Sequence, residues 1–336
     1  MRLIEQVWFK KPILKWPIII ALLPLTCLFY LITTIRRIGY KWGLLSTGKP
    51  LLPVIVVGNI GVGGNGKTPV VLYLISLCQQ LGIKVGVISR GYGGKAQSYP
   101  YVLSPESSAD QAGDEPVLIN QRTKVPVAVG ADRNASCEAL KSLGCELIIS
   151  DDGLQHYRLA RSLELLVVDG NRRFGNGFLL PAGPLREGQW RVETVDHIIV
   201  NGGQAKNNEI AMSLKAEMVC NIKTGESIPL REFVAQYSQV NAAAGIGDPD
   251  RFFNMLIQLD FKVLTSKSFV DHHHFCQADF DGFDSKTPLL MTEKDKVKCL
   301  EFAQDNWWYL PVNAKMSEQD SKKLINDIQR LTNLVR

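Results

Sequence analysis

Gly61-Val62-Gly63-Gly64-Asn65-Gly66-Lys67-Thr68 fits the pattern G-x-x-x-x-G-K-[ST] at all four fixed positions. The preceding run, Pro53 to Val57, is apolar and reads as a buried strand; Pro69 to Leu81 carries a helical pattern. Strand, glycine loop and helix in that order form the setting in which this motif binds nucleotide phosphates. Glycines let successive backbone N–H groups turn toward phosphate oxygens, and the helix N-terminus adds partial positive charge. In this reading Gly61 to Gly66 form the cradle, Lys67 reaches the β- and γ-phosphates, and the Thr68 hydroxyl is a Mg²⁺ ligand.

Working outward, strands and helices alternate. Lys84 to Ser89 is a second strand and runs into Arg90-Gly91-Tyr92-Gly93-Gly94, a glycine-rich turn that is either a hinge or a substrate contact. Residues 95–112 read as a loop. Gly113-Asp114-Glu115-Pro116 then opens a helix, and its carboxylates either complement the helix N-terminus or supply a general base and a metal contact. Val125 to Val129 and Glu146 to Ser150 are further strands around a helix from Asp132 to Leu143. The second of these strands ends in Asp151-Asp152, where a carboxylate can hold Mg²⁺ opposite the phosphate loop. Leu163 to Val168 and His197 to Asn201 follow, separated by a Gly/Pro-rich loop that holds Arg186, a candidate cation for transferring charge. After a polar stretch, 202–212, a second α/β section begins at Asn241 and includes Gly245-Ile246-Gly247, read as a turn. Asp271-His272-His273-His274 concentrates three of the five histidines; consecutive side chains diverge, so one His oriented by a carboxylate is a more economical reading than a metal cluster. Thr292-Glu293-Lys294-Asp295 reads as a polar loop above a sheet, there to contact a base or cap a helix.

Upstream the character changes. Pro17 to Ile35 carries no charge and approaches the ~20 residues that span a bilayer core. Arg2, Lys10, Lys11, Lys15, Arg36, Arg37 and Lys41 stand against Glu5 alone, a net +6 out of the chain's +5, which leaves the body at −1. A near-neutral body gives no electrostatic footprint for nucleic acid. Basic residues flanking an apolar helix suit a membrane with anionic headgroups, whether the helix spans it or lies at its surface. Thr26, Tyr30, Thr33 and Thr34 make one mildly polar face on it. The seven cysteines form no C-x-x-C pair and read as free thiols.

Taken together, Gly58 to Pro69, Ser89-Arg90-Gly91-Tyr92, Gly113 to Pro116, Ser150 to His156, Leu180 to Glu187, Asp271-His272-His273 and Thr292 to Asp295 resemble the tetraacyldisaccharide 4′-kinase family, the lipid A 4′-kinases of Gram-negative bacteria. The resemblance implies a P-loop NTPase-like α/β core with a mostly parallel sheet, a second, smaller α/β lobe, and an N-terminal membrane-associated helix. The expected divisions are 1–45, 46–205 and 206–336. It further implies transfer of the γ-phosphoryl group of ATP, with Mg²⁺, to the 4′-hydroxyl of a tetraacylated glucosamine disaccharide 1-phosphate at the cytoplasmic face of the inner membrane. No nucleic-acid or protein partner is expected. Carried over by residue, Asp114 is the base with His272, or else His273, as its partner; Glu115, Asp151, Asp152 and Thr68 surround the metal. Lys67 and Arg186 steady transferring charge, and Arg90 and Tyr92 contact the acceptor. The competing expectation is a membrane-associated P-loop ATPase or GTPase whose acceptor is water.

Overall fold

A computed structural model describes residues 3–10 and 15–333; Arg2 and Lys11 lie outside them. Two helices, α1 (Leu3–Phe9) and α2 (Lys15–Lys41), precede the first sheet. That sheet begins with β1 (Val54–Gly58), which leads through the glycine loop into α3 (Lys67–Gln80). Next come β2 (Val85–Ser89), β3 (Tyr101–Val102), α4 (Ala109–Ala112), α5 (Asp114–Thr123), β4 (Val127–Val129), α6 (Arg133–Ser142) and β5 (Leu147–Asp151). β6 (Leu163–Asp169), β7 (His197–Asn201) and β8 (Ile210–Ala216) complete the passage. Every residue of β1, β2 and β5 is buried, so these strands read as unbroken apolar runs, as central parallel strands covered on both faces must.

The second sheet contains β9 (Met218–Asn221), β10 (Ser227–Pro229), β11 (Gln239–Ala244), β12 (Lys262–Ser268), β13 (Leu289–Thr292) and β14 (Trp307–Leu310), with helices α7 (Leu230–Gln236), α8 (Pro249–Gln258) and α9 (Glu293–Lys296). The chain then returns to the first sheet as β15 (Val312–Lys315) and covers it with α10 (Glu318–Asn333). The strand orders are β15-β8-β7-β6-β1-β5-β2-β4-β3 and β10-β9-β14-β13-β11-β12. The first sheet is parallel from β8 to β4 and antiparallel only at its two edges.

This topology redraws the expected division at 205/206. Residues 210–216 and 312–333 belong to the first lobe: β8 pairs with β7 and β15, and Leu324, Ile328 and Leu331 of α10 join the core of Ile55, Leu74 and Ile149. The lobes are connected at Glu217, between β8 and β9, and at Pro311, between β14 and β15. The apolar run Trp307 to Val312, which reads as one strand in sequence, breaks at that proline, which has no N–H for a ladder. The stretch 202–212 read as irregular because β8 alternates buried and exposed residues. Residues 95–112, read as loop, hold the short β3 and α4. All seven cysteines are free.

The parallel register places the chemistry. β1 lies between β5 and β6, with Val57 opposite Asp151. The glycine loop and the Asp151-Asp152 turn therefore emerge side by side at the carboxyl edge of the sheet, where open α/β sheets bind ligands. If α10 is an integral wall of this lobe, Ile328→Ala, at a fully buried position, destabilises the protein by about 2–4 kcal/mol in chemical unfolding; a loss below about 0.5 kcal/mol places α10 outside the core.

Candidate active site

The glycine loop is tethered on all sides. Gly66 caps α3 with φ 90°, and a Cβ there would run into the Asn201 side-chain amide from β7. That amide donates to the Asn65 carbonyl at 3.1 Å. The Val62 N–H donates to the Pro184 carbonyl at 2.9 Å. The Arg172 guanidinium donates to the Gly64 carbonyl at 3.0 Å. From the second lobe, the backbone at Gly247 comes so close that a Cβ would sit 3.0 Å from the Gly64 nitrogen, which is why the Gly245–Gly247 turn needs glycine at its tip. Lys67, at the first position of α3, is 3.5 Å from Asp152.

Asp151 and Asp152 are treated very differently by the fold. Asp152 adopts φ 47°, a left-handed conformation that Asp tolerates better than most residues. Its carboxylate lies between Lys67 and Arg186, the latter at 3.2 Å. Burial would raise its pKa, but these two cations outweigh burial and hold it below the usual range. Arg186 is itself placed by its backbone N–H, which donates to the Ile60 carbonyl at 2.6 Å. Asp151 is fully buried, and neither carboxylate oxygen receives a hydrogen bond among the described residues. Burial, then the nearby charges of Glu115 and Asp152, push it up to about 7 against the pull of Lys67 and Arg133. The buried Arg133 serves the turn differently, donating to the backbone carbonyls of Asp151 and Asp152.

An orphaned buried carboxylate beside a phosphate loop fits a hard cation. Among the described residues no group of three His, Cys, Asp or Glu side chains is arranged to hold a metal by itself. That suits Mg²⁺, which commonly takes one or two carboxylates and fills its shell with phosphate oxygens and water.

The second cluster faces this one from α5 and the far lobe. Gly113 (φ 90°) approaches the Tyr92 carbonyl so closely that a Cβ would be 2.6 Å away, and Gly94 stands in the same relation to the Gln111 carbonyl. The turn 90–94 and the start of α5 thus interlock, which fixes Asp114 at the first helical position. Asp114 Oδ2 lies 3.1 Å from His272 Nδ1 and 3.5 Å from Lys298 Nζ. Burial would raise Asp114, but the His272 hydrogen bond and the Lys298 and Lys294 charges lower it to about 2. Lys294 contacts Glu115 and Asp271, each at 3.1 Å, and approaches His272 Nε2 at 3.4 Å. Burial opposes the Lys294 charge, but Glu115, Asp271 and Asp114 more than offset it. An ammonium has no lone pair to offer, so Nε2 is the acceptor and the imidazole proton sits on Nδ1, donated to Asp114.

The structure separates the three histidines. His272 (φ 60°) turns to Asp114. His273 pairs with Asp279 at 2.9 Å and stacks on Phe269. His274 is exposed. Tyr92 is 69% exposed, with its ring 5.0 Å from that of His272, and Arg90 is exposed on the same turn. Thr292 caps α9 by accepting from the Asp295 N–H at 3.1 Å, one of the two roles expected for that segment. Sequence reasoning passed over Lys294 as a site residue, and also Lys298, Arg172 and Asn201. Lone basic and amide residues give no signal until the fold gathers them.

The N-terminal helices dock on the loop that carries Arg186. The Trp8 indole donates to the Pro181 carbonyl at 3.0 Å, and the Ala182 N–H donates to Thr26 Oγ1 at 3.0 Å. Val7, Ile19 and Ala182 are buried together, Arg37 lies over the Trp190 ring, and Tyr40 stacks on Tyr157. Thr26 and Thr33, expected on a polar face, are spent on the Ala182 N–H and on the helix's own Phe29 carbonyl. The opposite side, with Ile20, Leu25, Leu28, Leu31, Ile32 and Ile35, is exposed and apolar. α2 is the one described helix long and apolar enough to cross a membrane, with a mean hydropathy of 2.4.

Comparison with known proteins agrees with this geometry. The family described as "Tetraacyldisaccharide-1-P 4'-kinase" matches residues 18–331. A protein of Colwellia psychrerythraea named tetraacyldisaccharide 4′-kinase is 58% identical over 335 residues, covering 98% of each chain. One of the same name from Actinobacillus pleuropneumoniae is 50% identical over 96% of this chain and 98% of its own. A solved structure, the "apo" form of LpxK from Aquifex aeolicus in complex with ATP, superposes with a TM-score of 0.75 at 30% identity, covering 94% of this chain and 99% of its own.

The strain at Asp151 is measurable without ligand. Its native pKa, about 7, exceeds an unfolded value of about 3.9, so the native state holds the proton more tightly and this group's contribution to stability falls as pH rises between those values. In nucleotide-free, metal-free protein, Asp151→Asn therefore raises Tm at pH 8 by roughly 5 °C, and the gain disappears toward pH 4; a gain independent of pH removes the carboxylate as its cause.

Proposed function

Because the chain belongs to the tetraacyldisaccharide-1-P 4′-kinase family, we propose that it transfers the γ-phosphoryl group of ATP to the 4′-hydroxyl of a tetraacylated glucosamine disaccharide 1-phosphate, a step in lipid A biosynthesis. The observation that carries the site assignment is the Asp114–His272 pair, held at 3.1 Å across the same cleft as the glycine loop. The loop backbone from Gly61 to Gly66 and Lys67 receive the triphosphate, and Lys67 exchanges its Asp152 contact for phosphate. Thr68, Asp151 and Asp152 would hold Mg²⁺, with Glu115 beside them. When bound, Mg²⁺ neutralises charge on the β- and γ-phosphate oxygens.

Asp114 accepts the proton of the acceptor hydroxyl. At a pKa of about 2 it is a weak base, and a weak base suffices here. Phosphoryl transfer passes through a loose transition state in which the hydroxyl becomes acidic only as the new O–P bond forms. The larger task is holding the hydroxyl in line with the γ-phosphorus. His272 keeps the carboxylate ionised and aimed, and Arg186 adds positive charge beside the transferring group. Arg90 and Tyr92, on the exposed turn next to His272, contact the acceptor sugar.

The acceptor is a lipid, so the cleft works at a membrane, the cytoplasmic face of the inner membrane of a Gram-negative bacterium. α2 embeds its outer apolar face there. Contacts to the body run from Ile19 to Tyr40, nearly the whole length of the helix, and a soluble body docked along that length favours a helix lying in the cytoplasmic leaflet over one crossing the bilayer.

With γ-labelled ATP and the disaccharide lipid in mixed micelles, label enters the lipid; release solely as free phosphate refutes the kinase reading. Lys67→Ala and Asp114→Ala each lower kcat by about 10²–10⁴-fold with unchanged far-UV circular dichroism, and an active Asp114→Ala variant removes Asp114 from the mechanism. Replacing Leu28 and Leu31 with Asp weakens binding to anionic phospholipid vesicles by at least about tenfold in a flotation assay; undiminished flotation argues against α2 as the membrane contact.

A further inference from the structure

Lys298 belongs to none of the motifs above. It follows α9 in the second lobe, and its side chain is only 6% exposed. Its ammonium stands 3.5 Å from Asp114 Oδ2, in the first lobe, and 3.1 Å from Asp295 Oδ1. The Phe275 ring lies 4.8 Å away on another side. None of these contacts is a hydrogen bond: the nitrogen is buried without an acceptor among the described residues. A buried ammonium carries a desolvation cost that charge pairs must offset, and here two carboxylates share it.

Asp295 is itself fixed. Its Oδ2 accepts from the Gly245 N–H at 3.0 Å and from the Thr292 hydroxyl at 2.6 Å, leaving Oδ1 toward Lys298. Asp295 thus anchors Lys298 and also the turn whose Gly247 backbone lies against the glycine loop. At Asp114 the arrangement is one-sided. His272 Nδ1 and Lys298 Nζ both approach Oδ2, and no described side chain donates to Oδ1. The terminal torsion of an aspartate is soft, so a carboxylate gripped by one neighbour still swings. Two groups meeting the same oxygen from different directions stop that rotation.

We infer that Lys298 is a positioning residue for phosphoryl transfer: with His272 it pins Oδ2 of Asp114, so that Oδ1 is the oxygen offered to the acceptor hydroxyl. The inference rests on Asp114 being the base. It also makes the aim of the base depend on the second lobe, since both pinning groups belong to it while Asp114 does not. Lys294, by contrast, meets Glu115, Asp271 and the far nitrogen of His272; its charge is felt at Asp114, but it makes no contact with the carboxylate among the described residues.

The test uses the full-length enzyme in mixed micelles with the disaccharide lipid. Lys298→Met lowers kcat by about 10- to 100-fold, the size expected for a misaimed group, while KM for ATP and for the lipid stays within about twofold, as for an interaction made only in the transition state. Lys298→Arg keeps the charge and recovers part of the rate. Wild-type kcat in Lys298→Met overturns the inference. So does a loss of kcat accompanied by raised KM values and a lowered Tm, which marks a purely structural ion pair. Should Lys298→Met fail to fold, Lys298→Gln takes its place, and the same two results overturn the inference. Asp114→Asn, measured alongside, separates the two claims: retained activity there refutes Asp114 as the base, whereas an inactive Asp114→Asn with a fully active Lys298 variant refutes the role of Lys298 alone.

Discussion

Four carboxylates crowd one edge of the first sheet, and the site depends on how their mutual repulsion is managed. Asp114, Glu115, Asp151 and Asp152 face a single cleft. Three of them are met by cations: Lys298 and Lys294 near Asp114, Lys294 at Glu115, Lys67 and Arg186 at Asp152. The Asp151 carboxylate is left with no hydrogen-bond donor among the described residues. That unevenness divides labour among chemically identical groups. The cations around Asp114 hold its pKa low, while burial and its acidic neighbours push that of Asp151 up despite Lys67 and Arg133; in the proposed mechanism the first receives a proton and the second meets a cation. Environment assigns the roles, as it does wherever paired carboxylates do different work.

Several of the compensating cations come from the second lobe, which makes the relation between the lobes chemical as well as mechanical. Arg251 and Arg172 meet at Asp169, and Arg172 also reaches toward Asp248. This charge network runs between the lobes at the mouth of the glycine loop. The glycine loop and Asp114 are therefore each braced by residues of both lobes. On the opposite side, the loop from Asn176 to Glu187 links α2 to Arg186, so docking of that helix and placement of the guanidinium share one stretch of backbone.

Much of this was legible in the sequence wherever local patterns carry physical meaning. The glycine loop, the buried parallel strands and the strand-end aspartates declared themselves because each needs a particular residue order over a few positions. The pairing of Asp114 with a histidine entered through family resemblance, and local pattern could not choose between His272 and His273. That choice is made by the left-handed turn at His272 and by Phe269 and Asp279, which occupy His273. Lys298 and Arg172 were invisible for a related reason: a lysine or arginine in isolation looks like solvated surface, and only long-range topology shows otherwise. The boundary between lobes was misplaced because β15 is an edge strand and β8 lies next to it, both with a half-buried alternation that resembles loop composition, and because Pro311 lies inside one apolar run that serves two sheets.

The double crossing at Glu217 and Pro311 has a consequence for how the molecule is made. Residues 312–333, which supply an edge strand and a covering helix to the first lobe, follow the whole second lobe in the chain. At on the order of ten residues per second of synthesis, the first sheet waits some tens of seconds for its last strand after its first has emerged. Throughout that interval α2 is already made, and the residues its inner face rests on, Tyr157 to Trp190, precede the last strand by more than a hundred positions. An apolar helix face that is exposed even in the finished fold is thus the first such surface the growing chain presents, long before its last strand is made.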